Sequence, residues 1–180
     1  SVAMAGFIET MNFDLVDTVS LYARFSRSSD SRIEVENPKT IEHSVLRDSL
    51  LPSLMAVLSR NVQATYPQRI YEVGRVFLRD GAKVVETPHL SALTAHSSAS
   101  FSEAKMYLEA LALVHLGGPI QTRPAAHWAF AEGRSAEVLV KDRSIGYMGE
   151  VSLSALAGFG IDVPVSGYEI DLSSFLQNKL

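Results

Sequence analysis

NPKTIEHSVLRDSLLPSLMAVLSRNVQATYPQRIYEVGRVFLRD, running from Asn37 to Asp80, decides the fold. It reads as loop, helix, turn and strand. Asn37-Pro38 ends an extended run, because the residue before a proline is pushed out of the helical region. Ser49 is placed to cap a helix. Pro52 then falls in the first turn, where a missing N–H costs no intrahelical bond. Leu51, Leu54, Met55, Leu58 and Val62 recur at helical spacing and make one apolar stripe. Pro67 is expected to stop the helix. From Arg69 to Leu78 the period changes to two: Ile70, Glu72, Gly74, Val76 and Leu78 on one face, Tyr71, Val73, Arg75 and Phe77 on the other. A helix covering this strand predicts Leu54, Leu58, Tyr71 and Val73 buried together.

The 180 residues suffice for one domain with a sizeable core. A 47% apolar and 20% charged composition is that of an ordinary globular protein. Sixteen basic and 20 acidic residues leave a net charge of −4, and no Lys/Arg cluster stands out, which argues against a free-standing nucleic-acid-binding module. With no cysteine, disulfides, thiolate metal sites and Cys nucleophiles are excluded. No apolar run is long enough to span a bilayer. The chain opens at Ser1 inside an Ala/Met run and reads as a fragment of a longer protein, covering one domain over residues 1–180.

Outward from the central stretch, Val2 to Ala5 reads as a helix end stopped by Gly6, and Phe7 to Val16 as a strand. Asp17-Thr18 can cap a short helix over Val19 to Phe25, followed by a polar turn over Ser26 to Ser31. Ile33 and Val35 mark a second strand. Asp80-Gly81 is a hairpin turn leading to a short edge strand, Lys83 to Glu86, with His89 to His96 as a further strand. A long helix starts at Ser102 or Glu103. Met106, Leu108, Leu111, Leu113, Val114 and Leu116 cover more than half its circumference and predict deep burial. Ile120 to Arg123 and His127 to Phe130 read as short strands, and Ala136 to Val140 and Ser144 to Met148 as a hairpin around Asp142-Arg143. Leu153 to Phe159 is a short helix ended by glycine, and Val165 to Leu172 the last strand. Strands outnumber helices and hairpin turns dominate, so the fold class is α+β, a mostly antiparallel sheet with flanking helices.

Little in the sequence resembles catalytic machinery. His43, His89, His96, His115 and His127 are scattered, with no HExxH pair. There is no G-x-S-x-G elbow and no phosphate-cradling glycine loop; Gly158-Phe159-Gly160 reads as a helix stop. Glu9, Glu72 and Glu150 lie in or beside apolar strands, where a carboxylate needs a partner. Arg47, Arg69 and Arg134 are natural partners. The expected role for Arg47, Glu72, Arg134 and Glu150 is structural.

Several motifs carry a family resemblance. Ser44-x-Leu46-Arg47-x-Ser49-Leu50-Leu51-Pro52 and Pro67-x-Arg69-Ile70-x-Glu72-x-Gly74-x-Val76-Phe77 resemble the beta subunit of phenylalanyl-tRNA synthetase, in the domain near its C-terminal end that has a class II synthetase-like fold. Gly6-Phe7-x-Glu9, Phe101 to Lys105 and Tyr168 to Leu172 resemble further segments of it. Gly133-Arg134-Ser135-Ala136 resembles its Pro-Gly-Arg-x-Ala turn with Glu132 in the proline position. Ile145-Gly146-x-x-Gly149-Glu150-Val151 resembles its Ile-Gly-x-x-Gly-Glu-Val-His-Pro segment with Ser152-Leu153 in place of His-Pro. These departures suggest a divergent, archaeal-type branch.

The resemblance implies a heterotetramer of two alpha and two beta subunits, in the cytoplasm, in which the alpha subunit activates phenylalanine with ATP and Mg and charges tRNA. Class II catalytic strands carry an arginine directly after Gly-x-Val-aromatic and a second in a glycine-rich segment near the C-terminus. Here Leu78 follows Phe77, Arg79 falls on the opposite face, and Gly167 to Leu172 contains no arginine. The domain is therefore expected to hold no catalytic, cofactor or metal residue of its own, to pair with the alpha subunit, and to meet tRNA only through the holoenzyme. Phe7, Met11 and Phe13 are the expected interface residues, from the helix-to-strand junction that pairs class II domains. The alternative is a stand-alone paralogue with another partner or a small-molecule ligase activity.

Overall fold

A computed structural model describes residues 5–27 and 32–176; Val2 to Met4 of the expected helix end and residues 28–31 of the expected turn lie outside the described residues. The main sheet has seven strands in the order β1-β5-β6-β10-β9-β8-β7. These are β1 (Ile8–Glu9), β5 (Gln68–Asp80), β6 (Lys83–Ala95), β7 (Gln121–Pro124), β8 (Phe130–Val140), β9 (Arg143–Val151) and β10 (Val165–Asp171). Every pairing is antiparallel except β1 with β5. A second, three-stranded sheet joins β2 (Leu15–Val16), β4 (Val45–Leu46) and β3 (Ile33–Glu34). The short helix α1 (Thr18–Leu21) follows β2, its N-cap Asp17 accepting from Ser20 N–H at 2.7 Å.

Helices cover both faces of the main sheet. On one face lie α2 (Leu51–Arg60) and α4 (Leu153–Phe159), with Leu54, Met55, Leu58, Ala155 and Phe159 packed on Ile70, Leu93 and Val165. On the other lies α3 (Phe101–Leu111), continued by a π-helical turn over Ala112–Leu116, with Ala104, Leu108 and Ala112 packed on Tyr71, Leu90, Met148, Tyr168 and Ile170. Period-two alternation along each strand delivers these two apolar sets, so the molecule has a core on each side of the sheet. A final short helix, α5 (Ser173–Leu176), follows β10.

Several expectations need correction. The stretch Phe7 to Val16 is not one strand. It pairs with β5 for two residues, leaves the main sheet, and joins the small sheet at Leu15. Asn12 and Asp14 are bound by their side chains to Glu72 and Arg47, which diverts the backbone from the ladder. Pro67 does not end α2; the helix stops at Arg60, and Val62 packs from the following turn. Lys83 to Ala95 is one strand running through Pro88, which is tolerated because β10 pairs with β6 only from His89 onward. On α3 and its π-helical continuation, Met106, Leu113 and Val114 are exposed, since a helix packed on a sheet through one side buries a single stripe.

The central stretch also differs in which face it buries. Leu54 and Leu58 pack on Ile70, whereas Tyr71 joins the α3 side and Val73 is 53% exposed. Alternation defines two faces but not which of them a helix will cover. Leu58→Ala is therefore expected to cost about 2 to 5 kcal/mol, and Val73→Ala to stay within about 0.5 kcal/mol of the parent, read from urea unfolding midpoints.

Candidate functional site

The densest polar cluster sits where α2 begins. Its N-cap is Leu50, which has no side-chain acceptor to offer, and not Ser49. Glu169, projecting from β10 toward the α2 face, takes over that role. One carboxylate oxygen accepts from the Ser49 hydroxyl at 2.8 Å and from the Leu50 and Leu51 N–H groups at 2.9 and 3.0 Å. The other lies 2.8 Å from His89 Nδ1. The Ser49 hydroxyl also accepts from Leu51 N–H at 3.2 Å. Burial works to raise the pKa of Glu169, but the His89 hydrogen bond and charge, the Ser49 hydroxyl and the Leu51 N–H outweigh it and hold the pKa below the ordinary value.

A cavity of about 290 Å³ opens beside this cluster, lined among others by Arg27, Asp48, His127, Trp128 and Tyr147. Arg27 makes a two-pronged pair with Asp48, at 3.0 and 2.5 Å, and its guanidinium lies 4.3 Å over the Trp128 ring. His127 is stacked on Tyr147 at 4.7 Å and flanked by Trp128 and Phe130. Burial lowers its pKa to about 4, reinforced by Arg27 and opposed by Glu169. At neutral pH it is an uncharged ring. Each strong charge in this cavity wall named so far, Arg27, Asp48 and Glu169, is thus already bound within the protein.

A second cluster locks the chain's beginning to β5. Arg47, 2% exposed, donates to Glu72 at 2.7 Å, to Asp14 at 3.0 Å and to the Arg75 carbonyl at 2.9 Å. Glu72 also accepts from the Asn12 amide side chain at 2.7 Å. Gly74 explains itself here: a Cβ on it would lie 2.5 Å from the Arg47 guanidinium. Leu78 and Arg79 lie further along β5, both exposed, with Arg79 3.5 Å from the Arg32 carbonyl.

Glu150, on the α3 face, accepts from Phe101 N–H at 3.0 Å and pairs with Arg134 at 3.2 Å. Both main helices thus receive a sheet carboxylate at their first turn, α3 in addition to its Ser100 cap. Arg69 pairs with Glu103 at 3.5 Å rather than with Glu9, and Glu9 instead neighbours the Tyr71 hydroxyl, whose pKa is raised by burial and by that charge. Sequence reasoning passed over Glu169, His89 and the Arg27–Asp48 pair. The signal that singled out Glu72, a carboxylate inside an apolar strand, was present at Glu169 as well. Among the described residues, no three His, Asp or Glu side chains converge as a metal site.

The expected interface residues separate. Phe7 is buried and meets Tyr107 edge-on at 4.9 Å, so it belongs to the core and is not available to a partner. Met11 and Phe13 are 95% and 75% exposed, and Ile8 is exposed beside them. The odd-numbered set divides because the chain leaves the sheet after Glu9, which ends strand alternation.

Glu169→Ala is expected to cost about 3 kcal/mol, because it strands buried N–H groups and His89. Arg47→Ala should cost about 3 to 5 kcal/mol by leaving Glu72 buried and unpaired. Arg134, 65% exposed, should cost under about 1 kcal/mol when cut to alanine. Denaturant melts check all three. Acid should act in two windows. The unfolded chain protonates His127 near pH 6.5 and the folded one only near pH 4, so stability falls as pH drops through that window. Glu169, with its pKa depressed by folding, adds a further loss below about pH 4.5. His127→Gln should remove the first loss and leave the second.

Comparison with known proteins gives a consistent result. The family model described as the phenylalanyl tRNA synthetase beta chain CLM domain matches residues 1–172. The phenylalanine–tRNA ligase beta subunit of Archaeoglobus fulgidus is 37% identical over 173 residues, covering 94% of this chain and 31% of that protein. That of Thermococcus sibiricus is 36% identical over 177 residues, covering 97% of this chain and 31% of that protein. That of Pyrococcus horikoshii is 36% identical over 170 residues, covering 93% of this chain and 30% of that protein. The chain spans about a third of the length of these relatives. By the extent of that match, this chain belongs to the family of the phenylalanyl tRNA synthetase beta chain CLM domain.

Proposed function

We propose that this chain is a class II synthetase-like domain of a phenylalanine–tRNA ligase beta subunit that does no chemistry itself and supports the alpha subunit by pairing with it. The observation that carries this reading is the use made of the polar face over the sheet. Activating a carboxylic acid with ATP requires a cation free to meet developing negative charge. The guanidinium lining the cavity, Arg27, is bound to Asp48. Glu169, central to that face, is spent on the α2 N-terminus and His89. Leu78 stands where the resemblance places a catalytic arginine.

In this reading ATP and Mg act in the alpha subunit, and tRNA is charged by the assembled alpha and beta subunits. Arg47, Glu72, Arg134 and Glu150 are structural. Met11 and Phe13, with Ile8, form the apolar surface offered to the alpha subunit, as their exposure beside a folded core suits. The working place is the cytoplasm; no helix among the described residues is long and apolar enough to cross a membrane.

Three measurements test the reading. The chain freed of host synthetase should show no phenylalanine-dependent ATP–pyrophosphate exchange, and robust exchange would overturn its silence. Co-expressed with the alpha subunit, it should co-elute on gel filtration; separate elution would favour a stand-alone paralogue. Met11→Asp and Phe13→Asp should abolish co-elution with melting unchanged, whereas Phe7→Asp should unfold the domain.

A further inference from the structure

Between β6 and α3 the chain reads His96-Ser97-Ser98-Ala99-Ser100, and the fold lines up a hydroxyl, an imidazole and a carboxylate there. His96 is pinned at its backbone: its N–H donates to the Pro164 carbonyl at 3.2 Å and its carbonyl accepts from Ala99 N–H at 3.2 Å. Its ring lies between two partners. Nε2 is 2.7 Å from a Glu103 carboxylate oxygen, and the Ser98 hydroxyl is 3.2 Å from Nδ1. Ser98 N–H also donates to Nδ1, at 3.3 Å. A backbone N–H can only donate, so Nδ1 carries the lone pair, and the ring proton sits on Nε2 and is donated to Glu103. This tautomer leaves a base facing the Ser98 hydroxyl.

The direction taken by Glu103 is a second observation. Ser100-x-x-Glu103 opens α3 in the form of a capping box, in which the glutamate turns back to the N–H of the capping serine. One half of the box forms, with Glu103 N–H donating to the Ser100 hydroxyl at 3.3 Å. The carboxylate points instead to His96 and, through its other oxygen, to Arg69 at 3.5 Å. The His96 and Glu103 side chains are sheltered, at 18% and 16% exposure, whereas Ser98 is exposed. A nucleophile open to solvent, a base within its reach and a carboxylate orienting that base form the arrangement that activates a hydroxyl.

We propose that Ser98 accepts acyl groups from small activated esters, with His96 as its general base and Glu103 as the positioning residue. Ser98 Oγ attacks the carbonyl carbon, and its proton passes to His96 Nδ1. The bond from that carbon to the leaving oxygen breaks, the electron pair departs with the oxygen, and Nδ1 returns the proton to the leaving group or to water. Glu103 keeps the ring turned and faces the imidazolium formed in passing. The class of donor follows from how little the site offers an oxyanion. The N–H of Ser98 itself is engaged with Nδ1, so a base is supplied but little stabilisation of developing negative charge. Donors with a good leaving group, such as aryl esters, therefore react, and the alkyl ester left on Ser98, which has none, persists. The step is one acylation without turnover. It uses neither ATP nor the alpha subunit, so it stands or falls apart from the proposed function.

The test treats this chain with para-nitrophenyl acetate and follows acetylation by peptide mass spectrometry. Only label that hydroxylamine removes is counted, which leaves lysine amides out. Ser97, adjacent in sequence and also exposed, is the internal control. Ser98 should be acetylated at least about tenfold faster than Ser97, at a rate that rises with pH as His96 gives up its proton. His96→Gln should bring Ser98 down to the Ser97 rate. The charged groups on the ring side are Glu103 from α3 and, behind it, Arg69 from β5. Glu103→Gln keeps an acceptor for the Nε2 proton and removes the charge, so the midpoint of the pH–rate profile should move to lower pH, a shift that a purely structural role would not produce. Equal labelling of Ser97 and Ser98, or the parental rate in a folded His96→Gln variant, would overturn the proposal. An unshifted midpoint in Glu103→Gln would overturn it as well, and that variant decides the matter where His96→Gln does not fold.

Discussion

The two main helices of this domain start on carboxylates that belong to the sheet. A helix N-terminus leaves N–H groups without intrahelical partners and carries partial positive charge. In most helices a residue adjacent in sequence satisfies them. Here Glu169 does so for α2 on one face, and Glu150 assists the Ser100 cap of α3 on the other. Ser166, three residues from Glu169, is paired with Glu150 in the β9–β10 ladder. The two neighbouring strands therefore set where both helices begin, and the two-sided core follows from their placement. Loss of register between β9 and β10 would misplace both caps at once.

Arg47 performs a related task for the chain's beginning. Almost wholly buried, its guanidinium is held by Glu72, Asp14 and a backbone carbonyl, which offset the cost of burying charge. Through those bonds the segment before β2, the loop before α2 and strand β5 become one unit. Gly74 keeps the strand surface clear for the guanidinium. The Gly-x-Val-aromatic motif on β5 is thus partly a packing requirement, independent of any ligand.

The same economy bears on function. Charge invested in holding helices and loops is not free to meet a substrate, and the α2 face of the sheet invests its charge in this way. Among the described residues, Ile8, Met11 and Phe13 remain exposed at the periphery.

Local order was legible in the sequence. The α2 stripe, the α4 helix with its glycine stop, the Asp17 cap, the β8–β9 hairpin and the last strand follow from spacing, capping and turn chemistry, which act over a few residues. Arg47 and Glu72, and Arg134 and Glu150, were recognisable as groups needing partners because burial of an isolated charge is costly. Long-range geometry decided the rest. Alternation along β5 could not say which face α2 would cover, so Val73 is exposed. Apolar residues around α3 could not say that only one side of it meets the sheet. Side-chain capture by Glu72 and Arg47, distant in sequence, broke Phe7 to Val16 into two short strands and buried Phe7 while leaving Met11 and Phe13 outside. Glu169 reaches an N-terminus 118 residues away in the chain, and His115 meets Lys141 and Arg143 only across the packed end of α3. Contacts of that span depend on how the sheet assembles, which local spacing in the sequence does not encode.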